Sequence, residues 1–259
     1  MMSSILPFSG KKALVVGGTG GIGKAVALGL AQKGAEVTVH GGSSRQHLND
    51  TIAALKAIGG KGEGFLFPIN GPEAAADIVS RFFSAAPPGL GGVGYGSPLD
   101  ILVCAWGPFR QGRLEALDRE FWQTMAGNNL VFPGILVSMA LPGMIERNWG
   151  RILLFGGTNT DTIRGFVTST AYSASKTALG VIAKSVAKAA GSRGVTCNVV
   201  CPGLTDTEYT AEDLLRYNRE KSPGGKPLSA EQVARAALAV LENPGFNGAV
   251  VPVDRGIVL

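Results

Sequence analysis

Only three cysteines occur in 259 residues, Cys104, Cys197 and Cys201, and no two form a C-x-x-C pair. An odd count without pairing argues against a disulfide framework and fits a reducing compartment. Each lies in an apolar run, so a buried, inert thiol is the expectation for all three. Histidine is scarcer still, with His40 and His47 and no H-E-x-x-H motif, so no metal site is expected. There is no G-x-S-x-G elbow, and both histidines precede every plausible nucleophile strand, which argues against a serine hydrolase. No apolar run approaches the roughly 18 residues of a membrane span. The stretch Met1 to Phe8 lacks the positive region of a signal peptide. A soluble, cytoplasmic protein is expected.

Charge of either sign is modest. Charged residues are 17% against 45% hydrophobic, which excludes intrinsic disorder. The net charge of +5 is scattered, with its densest group at Arg216, Arg219, Lys221 and Lys226. A nucleic-acid binder would more often carry a basic stripe with interleaved aromatics, so no nucleic-acid partner is expected. The small positive excess does favour an anionic cofactor or substrate.

What abounds is glycine. The 38 glycines are about twice the average share, and they stand at the ends of apolar runs rather than in a tract. Strands are expected over 13–16, 35–39, 64–67, 99–105, 151–155, 195–201 and 249–253. Helices are expected over 22–33, 48–58 and 73–84 and around Leu136, Leu179 and Ala237. Repeated βα units with continuously apolar strands imply an α/β fold, a doubly wound parallel sheet with helices on both faces. No linker divides the chain, so residues 1–259 are expected to form one nucleotide-binding domain. The Pro- and Gly-rich stretch 87–96 reads as a surface insertion.

Gly17, Gly18, Thr19, Gly20, Gly21, Ile22 and Gly23 follow the first strand and open the first helix. Glycines here let the backbone turn tightly and bring a pyrophosphate to the helix N-terminus. The second strand ends Val39-His40-Gly41-Gly42-Ser43-Ser44-Arg45, without the carboxylate that bonds a ribose 2′-hydroxyl in NAD-selective folds. Ser43, Ser44 and Arg45 instead suit a 2′-phosphate, which points to NADP. Ser43 as a mere helix cap is the competing reading.

Tyr172 and Lys176 stand four apart at the start of a helix, so phenol and ammonium can face one cleft. A free phenol titrates near ~10, and a neighbouring Lys charge draws it toward the working range of an acid–base catalyst.

With these motifs in order, the chain resembles the short-chain dehydrogenase/reductase family, in particular its 3-oxoacyl-(acyl-carrier-protein) reductases. The resemblance rests on Gly17, Gly21 and Gly23, on Asn129 through Met144, on Gly150-Arg151-Ile152, and on Tyr172 with Lys176. It extends to Asn198 through Thr207 and to Val253-Asp254-Arg255-Gly256. It implies a Rossmann-type fold and hydride transfer between NADP(H) and a carbonyl or secondary alcohol. Tyr172 would move the proton, Lys176 would hold the nicotinamide ribose and lower the Tyr172 pKa, and Asn129 would anchor a water. Ala105, Gly107, Pro202, Gly203, Leu204 and Thr207 would border the cofactor. A homodimer or homotetramer is implied as well.

Three departures qualify the match. Cys104-Ala105-Trp106-Gly107 replaces the family's Asn-Asn-Ala-Gly, and Pro68 stands where an acid usually contacts adenine. The family's catalytic Ser falls on Gly157 when counted from Gly150 and on Asn159 when counted back from Tyr172. Thr158, lying between, is expected to supply the missing hydroxyl, with the Asn159 amide as the other candidate donor. That gap motivates a second reading, a non-catalytic NADP-binding sensor or scaffold. Arg110, Arg113 and Arg164 hint at an anionic substrate.

Overall fold

The computed structural model describes residues 6–84, 98–210, 212–221, 223 and 225–256. The 87–96 stretch lies outside the described residues.

Seven strands pair in parallel: β1 (Lys12–Val16), β2 (Glu36–Gly41), β3 (Gly62–Leu66), β4 (Ile101–Cys104), β5 (Gly150–Phe155), β6 (Val195–Pro202) and, after a short β7 (Thr205–Asp206) and β8 (Leu228–Ser229), β9 (Val250–Val253). The order is β3-β2-β1-β4-β5-β6-β9, and β7 and β8 form a separate two-stranded ribbon. The helices are α1 (Gly21–Gln32), α2 (Arg45–Ala57), α3 (Ala74–Ser84), α4 (Arg119–Ala126), α5 (Phe132–Glu146), α6 (Thr170–Ala190), α7 (Glu212–Lys221) and α8 (Ala230–Glu242).

Alternation along β1 explains why the strands read as unbroken apolar runs. Leu14 and Val16 join the core under α3, α5 and α6, whereas Ala13 and Val15 join the core under α1, α2 and α8. Both faces are buried, so the strands are mostly apolar on either. The first crossovers build β2 and β3 on one side of β1, and the chain then crosses to β4 on the other. That reversal opens a crevice beyond the carboxyl ends of β1 and β4, where α/β sheets bind ligands.

The remaining differences from the sequence pattern have local causes. Helix α2 starts three residues early because Ser44 caps it, its Oγ accepting the His47 N–H at 3.2 Å. The glycines of β3 make room for neighbours: a Cβ on Gly62 would press on the Leu55 side chain, and one on Gly64 on the Val39 carbonyl. Helices α4 and α7 and the β7–β8 ribbon are additions that the apolar pattern did not show.

Candidate active site

The turn between β1 and α1 is shaped by close backbone approach. Gly17 has φ of +76° and Gly21 of +49°, a left-handed region that favours glycine. A Cβ on Gly17 would sit 3.0 Å from the Ala105 carbonyl oxygen, and one on Gly23 would collide with the Gly17 carbonyl. Helix α1 therefore starts against its own turn. Gly20 is the N-cap and brings no side chain to the opening amides, and the first turn of α1 has no acid. The Gly21 N–H donates instead to Glu208 Oε1, at 3.0 Å.

Beside this turn, at the end of β2, His40 is fully buried. Its Nε2 lies 2.8 Å from the Phe67 carbonyl, and its Nδ1 accepts the Gly17 N–H at 3.4 Å. These partners require one tautomer, with the proton on Nε2. Burial pushes the imidazole below its ordinary range, and the Phe67 hydrogen bond only partly opposes that. Ser44 caps α2, while Ser43 and Arg45 stand exposed on either side of it. Thr19 packs toward Gly41, and its carbonyl accepts the Thr51 hydroxyl at 3.3 Å.

Across the crevice, the first two turns of α6 present Tyr172 and Lys176. Lys176 is buried, and its Nζ donates to the Phe155 carbonyl at 2.9 Å while lying 5.8 Å from the centre of the Tyr172 ring. Burial raises the phenol and lowers the ammonium. The expected lowering of the phenol by Lys176 is not seen; burial, with Cys201 beside it, sets the direction.

Asn129 arrives from a five-residue π-helical turn, Gly127–Val131, between α4 and α5. The turn precedes Pro133, which has no N–H to continue the α-helical ladder. Asn129 Nδ2 donates to the Pro108 carbonyl at 3.0 Å, and its Oδ1 is buried without a partner. Gly107 lies where Asn129 and Lys176 converge: a Cβ there would collide with Asn129 Oδ1 and come within 2.8 Å of Lys176 Nζ.

A cavity of about 170 Å³ lies between these groups, lined by residues that include Ile22, Ala105, Gly107, Tyr172, Lys176 and Pro202. It runs from Ile22, in the first turn of α1, to the phenol. A larger cavity of about 400 Å³ opens at the other end of the sheet, beside Lys12, Glu36, Lys61 and Phe82, away from every residue above. Gly203 lies against Asp254 at the end of β9, and Thr207 against Gly21. Trp106 turns its ring onto Phe132 and so walls the cavity from the core side.

The loop after β5 decides between the two counts for the family Ser. A Cβ on Gly157 would lie 2.7 Å from the Tyr172 hydroxyl, so Gly157 is the residue beside the phenol and the extra residues follow it. The Thr158 hydroxyl donates to the Pro202 carbonyl at 3.3 Å. Thr160 closes the loop, accepting from the Gly157 N–H at 2.8 Å. At the mouth, Phe109 packs edge-on to Tyr172 with ring centres 4.9 Å apart. The three arginines are each engaged within the chain: Arg110 over Phe121, Arg113 with Glu115, and Arg164 with Thr162 and Asp161.

The sequence pattern did not single out His40 as a tie between strand and turn, although a histidine in place of the expected acid was a visible signal. The segment from Glu208 to Lys226 was expected to border the cleft, and Glu208 and Tyr209 open it. Their place over the glycine turn was not expected, because they meet that turn across 187 positions of sequence.

The model of the short chain dehydrogenase family matches residues 11–217. A 3-oxoacyl-(acyl-carrier-protein) reductase of Pseudomonas aeruginosa is 32% identical over 98% of this chain and 100% of its own. A D-beta-hydroxybutyrate dehydrogenase of Cupriavidus necator is also 32% identical, over 96% of this chain and 88% of its own. Among solved structures, a 3-oxoacyl (acyl-carrier-protein) reductase of Agrobacterium tumefaciens with NADP bound superposes with a TM-score of 0.86. It is 27% identical and covers 99% of this chain and 97% of its own.

Proposed function

The chain belongs to the short chain dehydrogenase family, and from that premise we propose an NADP(H)-dependent reductase of carbonyl compounds, with 3-oxoacyl thioesters as the favoured substrate class. The observation that carries this reading is one cavity bordered at one end by Ile22, where the glycine turn opens α1, and at the other by Tyr172 and Lys176. The cradle fits a dinucleotide on two counts. Gly17 and Gly23 let the turn close tightly on itself and on Ala105, which sets the start of α1 at the crevice, and the buried Asn129 Oδ1 lacks a partner beside Lys176. A bound nicotinamide would supply the hydride.

The roles follow from the geometry. Tyr172, neutral and facing the cavity, gives its proton to the substrate oxygen in reduction and takes it back in oxidation. Lys176, with one donor fixed on Phe155, keeps others for a ribose hydroxyl and for a water held by Asn129. Thr158 would supply the second donor to the carbonyl by exchanging its bond to Pro202. Ser43 and Arg45, with Ser44 at the cap, would meet the 2′-phosphate. NADP over NAD is supported by the missing carboxylate at His40 and by the NADP held in the Agrobacterium relative. The thioester class is supported by the Pseudomonas relative. The engaged arginines give no support to a small anionic substrate. We also assign the chain to the cytoplasm and to a homo-oligomer, in line with its buried free thiols and the exposed apolar residues of α5 and α6.

The test combines binding and turnover. NADPH should raise the melting temperature more than NADH, and the parent should oxidise NADPH with a 3-oxoacyl thioester. Tyr172→Phe should lose about 10²- to 10⁴-fold in kcat while still binding cofactor. The vacancy of side chain at Gly157 favours the non-catalytic sensor as the second reading. Cofactor binding without turnover on any carbonyl, in parent and variant alike, would establish it.

A further inference from the structure

The loop after β7 lies across the glycine turn. Glu208 accepts the Gly21 N–H, and any side chain on Gly20 would collide with the Tyr209 hydroxyl. The Tyr209 ring also meets His47, in the first turn of α2, with ring centres 6.5 Å apart. The segment is a folded turn: Thr210 N donates to the Thr207 carbonyl at 3.0 Å, and the Thr210 hydroxyl to the Thr205 carbonyl at 2.7 Å. It thus runs from the start of α1 to the start of α2.

The opening amides of a helix and its dipole favour an anion. Helix α1 has none of its own, since its N-cap is glycine and its first turn has no acid. Glu208 supplies that charge from another part of the chain. A dinucleotide phosphate needs the same amides, and two anions cannot share them without repulsion. Glu208 is exposed, so its carboxylate can swing away without unpacking the core.

We infer that Glu208 sets the affinity for the cofactor, its carboxylate acting as a built-in competitor for the phosphate at the N-terminus of α1. The inference rests on reading the glycine turn as a nucleotide site. Bound phosphate displaces the carboxylate and releases the Thr207–Thr210 segment from the turn. Free enzyme therefore keeps its turn capped, and the phosphate gains less than it would on a bare helix end.

Glu208→Gln keeps the side-chain length and an accepting oxygen but removes the charge. Binding is measured by calorimetry on the parent and the variant, with NADPH, ADP and adenosine as probes. The expected result is Kd lowered roughly two- to fivefold for NADPH and ADP, the range of a charge at a helix end. Adenosine, which has no phosphate, should bind both proteins alike. Unchanged or weaker ADP binding by the variant would overturn the inference and leave the nucleotide site standing. Equal tightening for adenosine would also overturn it, by showing that the loop merely blocks the groove. A parent that binds none of the three probes would remove the nucleotide reading itself.

Discussion

His40 uses both ring nitrogens inside the protein, one on Phe67 and one on the amide of Gly17. Protonation would put a second N–H where Nδ1 now accepts, opposing the glycine turn as well as burying a charge. The folded protein therefore holds this imidazole below its ordinary value of 6.5. The sign follows from proton counts. Below about pH 6.5 the unfolded chain takes up a proton that the folded chain resists, so stability falls as pH drops. It is fully present only above the unfolded value. Melting temperature should decline between pH 7 and pH 5, and His40→Gln should flatten that part of the profile. Parallel profiles for parent and variant would count against the tie. This residue was legible as an absent acid, but its inward hydrogen bonds were not. They depend on Phe67 at the end of β3, which no spacing rule places beside Gly17.

At the scale of elements, the strand–turn–helix units were readable because burial on two faces leaves a continuous apolar signature. Polar helix α7 and the two-residue strands of the ribbon carry no such signature. The helix that bears Asn129 is a finer case. Its apolar stretch around Leu136 was plain, but the π turn before it depends on a backbone donor missing at Pro133. The Phe132 N–H reaches back to the Gly127 carbonyl, and the ladder then resumes as α5. Restoring the donor with Pro133→Ala should favour a regular helix and shift Asn129 away from Gly107 and Lys176. Turnover should then fall on the order of ten- to a hundredfold, as misplaced catalytic groups do, while the melting temperature holds or rises. Loss of both together would mean that the π turn serves packing rather than the site.

On the scale of the whole molecule, one helical run among the described residues, Arg119–Glu146, is long and apolar enough to cross a membrane by length and composition. Charged residues sit only toward its two ends, but Gln123, Asn128 and Asn129 interrupt it, so it holds no contiguous apolar stretch of membrane length. Its inner side is spoken for: Phe132, Leu136, Ala140 and Met144 are buried in the core over the sheet. On its outer side Val131 and Met139 are exposed, and Val181 on the neighbouring α6 is 67% exposed. A half-buried apolar helix beside a second apolar helix suits pairing with another copy better than insertion in lipid, because its core face cannot leave the sheet without unfolding it. If the homo-oligomer proposed above forms there, the parent should sediment at a multiple of 26.7 kDa. Val181→Glu would bury an unpaired charge at that contact, and the variant should sediment as a monomer with its NADPH binding retained. A parent that is already monomeric at micromolar concentration would remove the pairing. Vesicle flotation of the monomeric parent would then test the lipid alternative.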